Sequence, residues 1–322
     1  MKQAYFFDLY GTLIDIHTDE KQPALWKFAA DYLTAHGAPY RPKELQDAYL
    51  AALSADIERV RRQWKERGVC VQWPEPDIGN VFRGLYKAKG AWPGAGGDAA
   101  PGNGPDTALS NGPDAAPGNG PDTAPGTDPD TAHCAGPGDS LIRETAWAFR
   151  RKATCHLRLY AGAKELLQEL RRAGRQAYVL SNAQSLYTLP ELRLLGIDDL
   201  FDGIYISSDC GAKKPDPVFY RKPLEDLGLD AKDCLMIGND YQCDILGAAG
   251  VGMDGYYILS GLSPKERRET FDEDIKDAAM FQRGMDLDRV RRNCLSEAIA
   301  TDAAEGAPQR NVKDNRGTAA AL

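Results

Sequence analysis

Four short apolar runs in this chain each stop on polar side chains, and helical stretches separate the last three. Tyr5-Phe6-Phe7 runs into Asp8, and residues 176–180 run into Ser181-Asn182. Residues 201–206 run into Ser207-Ser208, with Lys214 shortly after, and residues 234–237 run into Gly238-Asn239-Asp240. The intervening segments 161–173, 189–195, 217–227 and 244–249 read as helices, and 255–259 as a last strand. Strands alternating with helices predict an α/β fold with a doubly wound, mostly parallel sheet. In such a sheet the strand ends converge on one crevice, where ligands bind. A carboxylate that ends a buried strand costs free energy unless it has partners. Asp8 is therefore a candidate nucleophile, with Ser181, Lys214, Asp240 and Asp244 as its candidate partners. A helix cap explains a single Asp after a strand more simply. It does not explain polar ends on four strands in this order.

The stretch between the first strand and this alternation has a different character. Residues 22–36, 42–67, 76–90 and 140–157 carry apolar side chains at helical spacing, as in Leu25, Trp26, Ala29 and Leu33. Residues 93–139 interrupt them with Asn-Gly-Pro-Asp repeated at Asn103, Asn111 and Asn119. That tract has almost no large apolar side chain to offset the entropy of ordering its backbone, so disorder is expected. The expected domains are an α/β core at 1–16 and 158–299, a helical insert at 17–157, and a disordered tail at 300–322.

The formal charge is -8, which argues against a nucleic-acid partner held on a broad basic surface. No stretch approaches the roughly 18 apolar residues of a membrane span. The seven cysteines are scattered and form no CxxC pair. With no basic-then-apolar leader before the first strand, they predict reduced thiols and a cytoplasmic location.

The chemistry-bearing segments are Asp8-Leu-Tyr-Gly-Thr12, Leu180-Ser-Asn182, Lys214-Pro-Asp216 and the run from Gly238 through Asp244 to Ala248. Together they resemble the haloacid dehalogenase superfamily. The helical insert sits where that superfamily carries its type 1 α-helical cap. The resemblance implies that Asp8 attacks the substrate and forms a covalent aspartyl intermediate. It implies that Ser181 hydrogen-bonds the transferring group, Lys214 neutralises charge, and Thr12 and Asn182 lie beside the substrate. It further implies a Mg²⁺ cofactor held by Asp8, the Tyr10 backbone carbonyl, Asp240 and Asp244. Mg²⁺ favours oxygen ligands of this kind.

One position departs from the pattern. Most phosphatases of the superfamily carry a second Asp two residues after the nucleophile, and here that residue is Tyr10. A phenol with pKa about 10 is a poor general acid near neutrality. Either the substrates carry good leaving groups, or another acid such as Asp15 or a residue of the helical insert supplies the proton. The two acids Asp240 and Asp244 favour a Mg²⁺-dependent phosphatase acting on a small phosphorylated metabolite. The alternative is a 2-haloacid dehalogenase-like carbon–halogen hydrolase, supported by Tyr10, Ser181-Asn182 and Tyr220. A low-turnover binding protein of the same fold is the third reading.

Overall fold

The computed structural model describes residues 2–92, 137–264 and 281–295. The chain divides into two compact units. One takes in Met1–Ile16, His156–Ala183 and Glu191–Leu322; the other takes in His17–Cys155 and Gln184–Pro190.

The first unit is built on a six-stranded sheet in the order β5-β4-β1-β6-β7-β8. These strands are β1 (Ala4–Phe7), β4 (Gln176–Ser181), β5 (Gly203–Ile206), β6 (Cys234–Gly238), β7 (Asp254–Leu259) and β8 (Phe281–Arg283). Every pairing is parallel. β1 lies between β4 and β6, with Phe7 opposite Val179 on one side and Ile237 on the other. Its four residues are all buried, as expected for a strand covered on both faces. Asp8, Asn182 and Asn239 thus follow three adjacent strands. Leu166, Leu167, Val179, Leu192, Ile237 and Ile258 belong to the core beside this sheet.

β2 (Ile14–Thr18) and β3 (Thr154–Leu159) form a separate two-stranded sheet. The helical spacing predicts a helix through residue 157, but α4 (Pro137–Ala153) ends four residues sooner. Arg150, Arg151 and Lys152 fill its last turn, where cations suit the carbonyl end of a helix. In β3, Leu157 and Leu159 are half-buried and His156 and Arg158 are exposed, and Arg158 reaches Asp15 of β2 at 2.7 Å. α4 also begins at Pro137, inside the segment 93–139 that composition marks as disordered. Residues 93–136 and the tail from 300 lie outside the described residues.

The second unit contains α1 (Pro23–Ala35), α2 (Pro42–Glu66), α3 (Ile78–Ala88) and α4. Its core is aromatic. Trp26, Phe82 and Tyr49 each contact another ring, and all three approach Phe149 within 5.7 Å between centroids. Asp56 is buried on α2, where the apolar stripe predicts none; Arg59 and the Asp77 backbone N–H occupy its carboxylate.

In the sheet unit, α5 (Ala163–Arg172) follows β3; α6 (Ser185–Leu195) follows β4, with residues 185–190 belonging to the second unit. A one-turn helix, α7 (Ser207–Cys210), ends at Gly211, and α8 (Pro217–Leu227) follows it. After β6 the backbone forms a π-helix at Tyr241–Leu246 that runs into a short α9 (Gly247–Ala249). The expected helix start at 244 is therefore three residues late. β7 is not the last strand either, because β8 pairs with it. β8 is three residues long and carries no alternating apolar pattern, so nothing local announces it. The helix after it, α10 (Leu287–Leu295), does carry a signal, with Leu287, Val290, Cys294 and Leu295 buried at helical spacing.

Candidate active site

The carboxyl ends of β1, β4 and β6 surround a cavity of about 180 Å³. Asp8, Tyr10, Asn182, Lys214, Asn239, Asp240, Cys243 and Asp244 line it, together with Leu262 and Pro264.

Lys214 organises the charge. Its side chain is almost fully buried, and its ammonium donates to Asp8 Oδ1 at 2.9 Å, Asp244 Oδ1 at 2.7 Å and the Leu180 carbonyl at 2.7 Å. An ammonium has three donors, and all three are used. The loop that carries it is fastened to the end of β4. Asn182 accepts from the Lys214 backbone N–H at 2.8 Å and donates to the Lys214 carbonyl at 3.0 Å. Asp216 then caps α8 by accepting from Val218 N–H, and Pro217 opens the helix.

Burial pulls the Lys214 ammonium toward deprotonation, but the charges and hydrogen bonds of Asp244 and Asp8 outweigh it and hold its pKa above the ordinary value. Two carboxylates share this one cation. Burial, with Asp8's charge adding to it, pushes Asp244 up to about 7 against the opposing pull of Lys214.

Asp8 Oδ1 also accepts from Ser181 Oγ at 3.1 Å. Two donors on Oδ1 orient the carboxylate and turn Oδ2 toward Asn239. One end of the Asn239 amide faces three oxygen atoms: the Tyr10 carbonyl at 3.1 Å, Thr12 Oγ1 at 3.2 Å and Asp8 Oδ2 at 3.3 Å. Acceptors on these sides select the NH₂ end for that position.

Two expected metal groups, Asp8 Oδ2 and the Tyr10 carbonyl, thus converge. The expected acidic pair lines the same cavity, with most of its oxygens engaged by hydrogen bonds. Asp240 Oδ1 accepts from the backbone N–H groups of Gln242 and Cys243, both at 3.0 Å, and so caps the π-helix. Asp244 spends Oδ1 on Lys214 and Oδ2 on the Asp240 N–H at 2.8 Å. Among the described residues, no three His, Cys, Asp or Glu side chains stand together as a metal-holding group. Three of the four carboxylate oxygens of Asp240 and Asp244 therefore already accept hydrogen bonds in this arrangement.

Two further expectations change, those for Thr12 and Asp15. Thr12 is fully buried and does not line the cavity. Asp15, an expected proton source, is held by Arg158 and His156 and lies outside the lining. Its carboxyl pKa is lowered first by the Arg158 hydrogen bond and then by that of His156. Tyr220 is buried and donates to the Cys243 and Asp244 carbonyls, at 2.6 and 3.1 Å, which is helix packing. Two residues were not foreseen. Asn239 is one, and Glu191 is the other: it is buried and accepts the Tyr10 hydroxyl. Its place in α6 gives no local clue to that contact.

Gly238 ends β6 beneath Asp244. A Cβ at that position would lie 2.1 Å from Asp244 Oδ2 and 2.6 Å from its Cβ. Gly238→Ala is expected to destabilise the protein by about 1–3 kcal/mol through overpacking. A thermal melt checks this, and an unchanged melting temperature would contradict the packing described.

A haloacid dehalogenase-like hydrolase family model matches residues 2–252. Among curated proteins, a glyceraldehyde 3-phosphate phosphatase of Pyrococcus abyssi is 32% identical over 114 residues, covering 35% of this chain and 48% of that protein. A phosphoserine phosphatase of Thermus thermophilus is 30% identical over 143 residues, covering 44% and 57%. The chain spans about half the length of the curated relatives it matches. A solved 2-haloacid dehalogenase from Pseudomonas syringae pv. Tomato DC3000 aligns over 93% of this chain and 99% of its own, with 18% identity and a TM-score of 0.49. With the family model matching most of its length, the chain belongs to the haloacid dehalogenase-like hydrolases.

Proposed function

We propose that the chain is a phosphatase-like hydrolase in which Asp8 attacks the phosphorus of a small phosphorylated metabolite. The observation that carries this reading is the orientation of Asp8. Ser181 and Lys214 hold Oδ1, which fixes the direction of a carboxylate that lines the cavity. As Asp8 bonds the phosphorus, the bond from phosphorus to the leaving oxygen breaks and that group departs; water then attacks the aspartyl phosphate, freeing phosphate and restoring Asp8. Lys214 balances charge on the nucleophile and on the transferring group. The Ser181 hydroxyl turns from Asp8 to a phosphoryl oxygen once substrate is present. Phosphoryl transfer depends chiefly on such positioning and charge stabilisation. The phosphatase names of the two relatives support the substrate class. In this reading the helical unit is the cap that selects the substrate.

Asp8 and the Tyr10 carbonyl would hold a Mg²⁺, which would supply positive charge beside the nucleophile and the transferring group. Asp240 and Asp244 would reach it only indirectly, through water.

Tyr10 sets the leaving-group range. Its hydroxyl donates to Glu191, so its proton is committed away from the cavity. Esters with poor leaving groups should therefore turn over slowly, and acyl or aryl phosphates faster. The same observation favours a second reading, carbon–halogen hydrolysis, because a departing halide needs no proton.

Purified protein incubated with p-nitrophenyl phosphate, acetyl phosphate and L-2-chloropropionate separates the two. Phosphate release from the first pair is the expected result. Chloride release without phosphate release would overturn the phosphatase reading. No turnover of any of the three would favour a binding protein.

A further inference from the structure

We propose that Asn239, rather than Asp240, occupies the position between Asp8 and the Tyr10 carbonyl where a divalent cation would sit. This rests on the reading of Asp8 as the nucleophile, but it concerns cation binding and is tested without turnover.

Three observations carry it. First, one end of the Asn239 amide lies 3.1 Å from the Tyr10 carbonyl and 3.3 Å from Asp8 Oδ2. Those belong to two of the four residues that the resemblance assigns to a cation. Second, the amide is confined there. Asn239 is 4% exposed, and Gly11, at φ 89°, runs so close that a Cβ on it would fall 2.2 Å from the amide. Third, three of the four carboxylate oxygens of the two nearby acids already accept hydrogen bonds. Asp240 caps the π-helix through the Gln242 and Cys243 N–H groups, while Asp244 holds Lys214 and the Asp240 N–H.

The consequence is chemical. With its NH₂ end inward, Asn239 offers N–H groups to Asp8 Oδ2 and the Tyr10 carbonyl, which does part of a cation's work without a net charge. For a cation to enter, the amide must turn and present its oxygen, a neutral ligand. Metal affinity rises with the number of charged ligands, so this chain binds Mg²⁺ or Mn²⁺ weakly. Asn239→Asp changes the amide to a carboxylate of the same size. In the metal-free protein that carboxylate faces Asp8 Oδ2 and the Tyr10 carbonyl, and the repulsion lowers stability. A bound cation removes that repulsion.

The test is a Mn²⁺ titration followed by the electron paramagnetic resonance of free Mn²⁺, with thermal melts in EDTA and in millimolar Mg²⁺. Wild type, N239D and D240N are compared. N239D is expected to bind Mn²⁺ at least about tenfold more tightly than wild type. It should melt well below wild type in EDTA and recover with Mg²⁺. Wild type should show little Mg²⁺ dependence, and D240N should bind Mn²⁺ within about threefold of wild type. N239D binding no more tightly than wild type would overturn the proposal. So would a tenfold loss of binding in D240N, or an N239D protein that stays unfolded with Mg²⁺ as well as without it. If phosphate is never released from any substrate yet N239D gains a tight Mn²⁺ site, the proposed activity fails and the assignment of Asn239 stands.

Discussion

Asp8→Asn is expected to abolish turnover, by a factor on the order of 10⁴ or more, with the protein still folded. The amide keeps the shape of the carboxylate and its place after β1, between Ser181 and Asn239. What it loses is the anionic oxygen that forms the bond to the substrate. A residue that acts covalently cannot be replaced by its neighbours, so the loss falls on the chemical step rather than on binding. The change also removes one of the two carboxylates that share Lys214. Lys214 keeps Asp244, and no like-charged pair is created, so the melting temperature should move by only a few degrees. Steady-state kinetics with p-nitrophenyl phosphate and a thermal melt check both parts. A variant that retains a tenth of wild-type activity would remove Asp8 from the chemistry.

Lys214→Met has the largest expected effect on stability. The ammonium is buried between Asp8 and Asp244 and also bonds the Leu180 carbonyl. Methionine fills much of the same volume but leaves two carboxylates in one buried site with no cation between them. Removing one partner of a buried ion pair in this way costs about 3–5 kcal/mol. In a protein of this size that lowers the melting temperature by roughly 10 °C. Turnover should be lost as well. The double variant K214M/D244N tests the cause. Neutralising Asp244 removes half of the stranded charge, so the double variant should melt above K214M alone. Equal melting temperatures would mean that lost packing, and not stranded charge, explains the effect.

The sheet and most of its strand ends were legible in the sequence because they depend on local pattern. Apolar runs of four to six residues, each closed by a polar residue, announce parallel strands wherever they occur, and β1, β4 and β6 all follow that rule. The strand β3 was not legible, because Thr154–Leu159 continues the helical spacing of α4 until its pairing with β2 decides otherwise. β8 was not legible because a three-residue strand owes its state to its neighbour β7.

At the site, sequence separates residues by type but not by direction. Asn239 and Asp240 both follow Gly238, and the acid is the more obvious cation ligand. Which of the two faces Asp8 is decided by the backbone after β6, where the π-helix begins at Tyr241 and draws Asp240 into its cap. Glu191 was hidden for a related reason. Its contact with Tyr10 spans 181 residues, and no motif joins them. Lys214 was legible as a charged residue after β5, but its burial and its three acceptors emerge only once β1, β4 and the loop before α8 are assembled.

The central claim is that Asp8 carries the substrate's group covalently. Reducing the protein with borohydride during turnover of acetyl phosphate tests it directly, because an aspartyl phosphate is reduced to homoserine whereas a free carboxylate is not. Mass spectrometry of the peptide that contains residues 5–13 is expected to find homoserine at position 8, dependent on substrate. Turnover without that product, or with reduction at another acidic residue, would contradict the account.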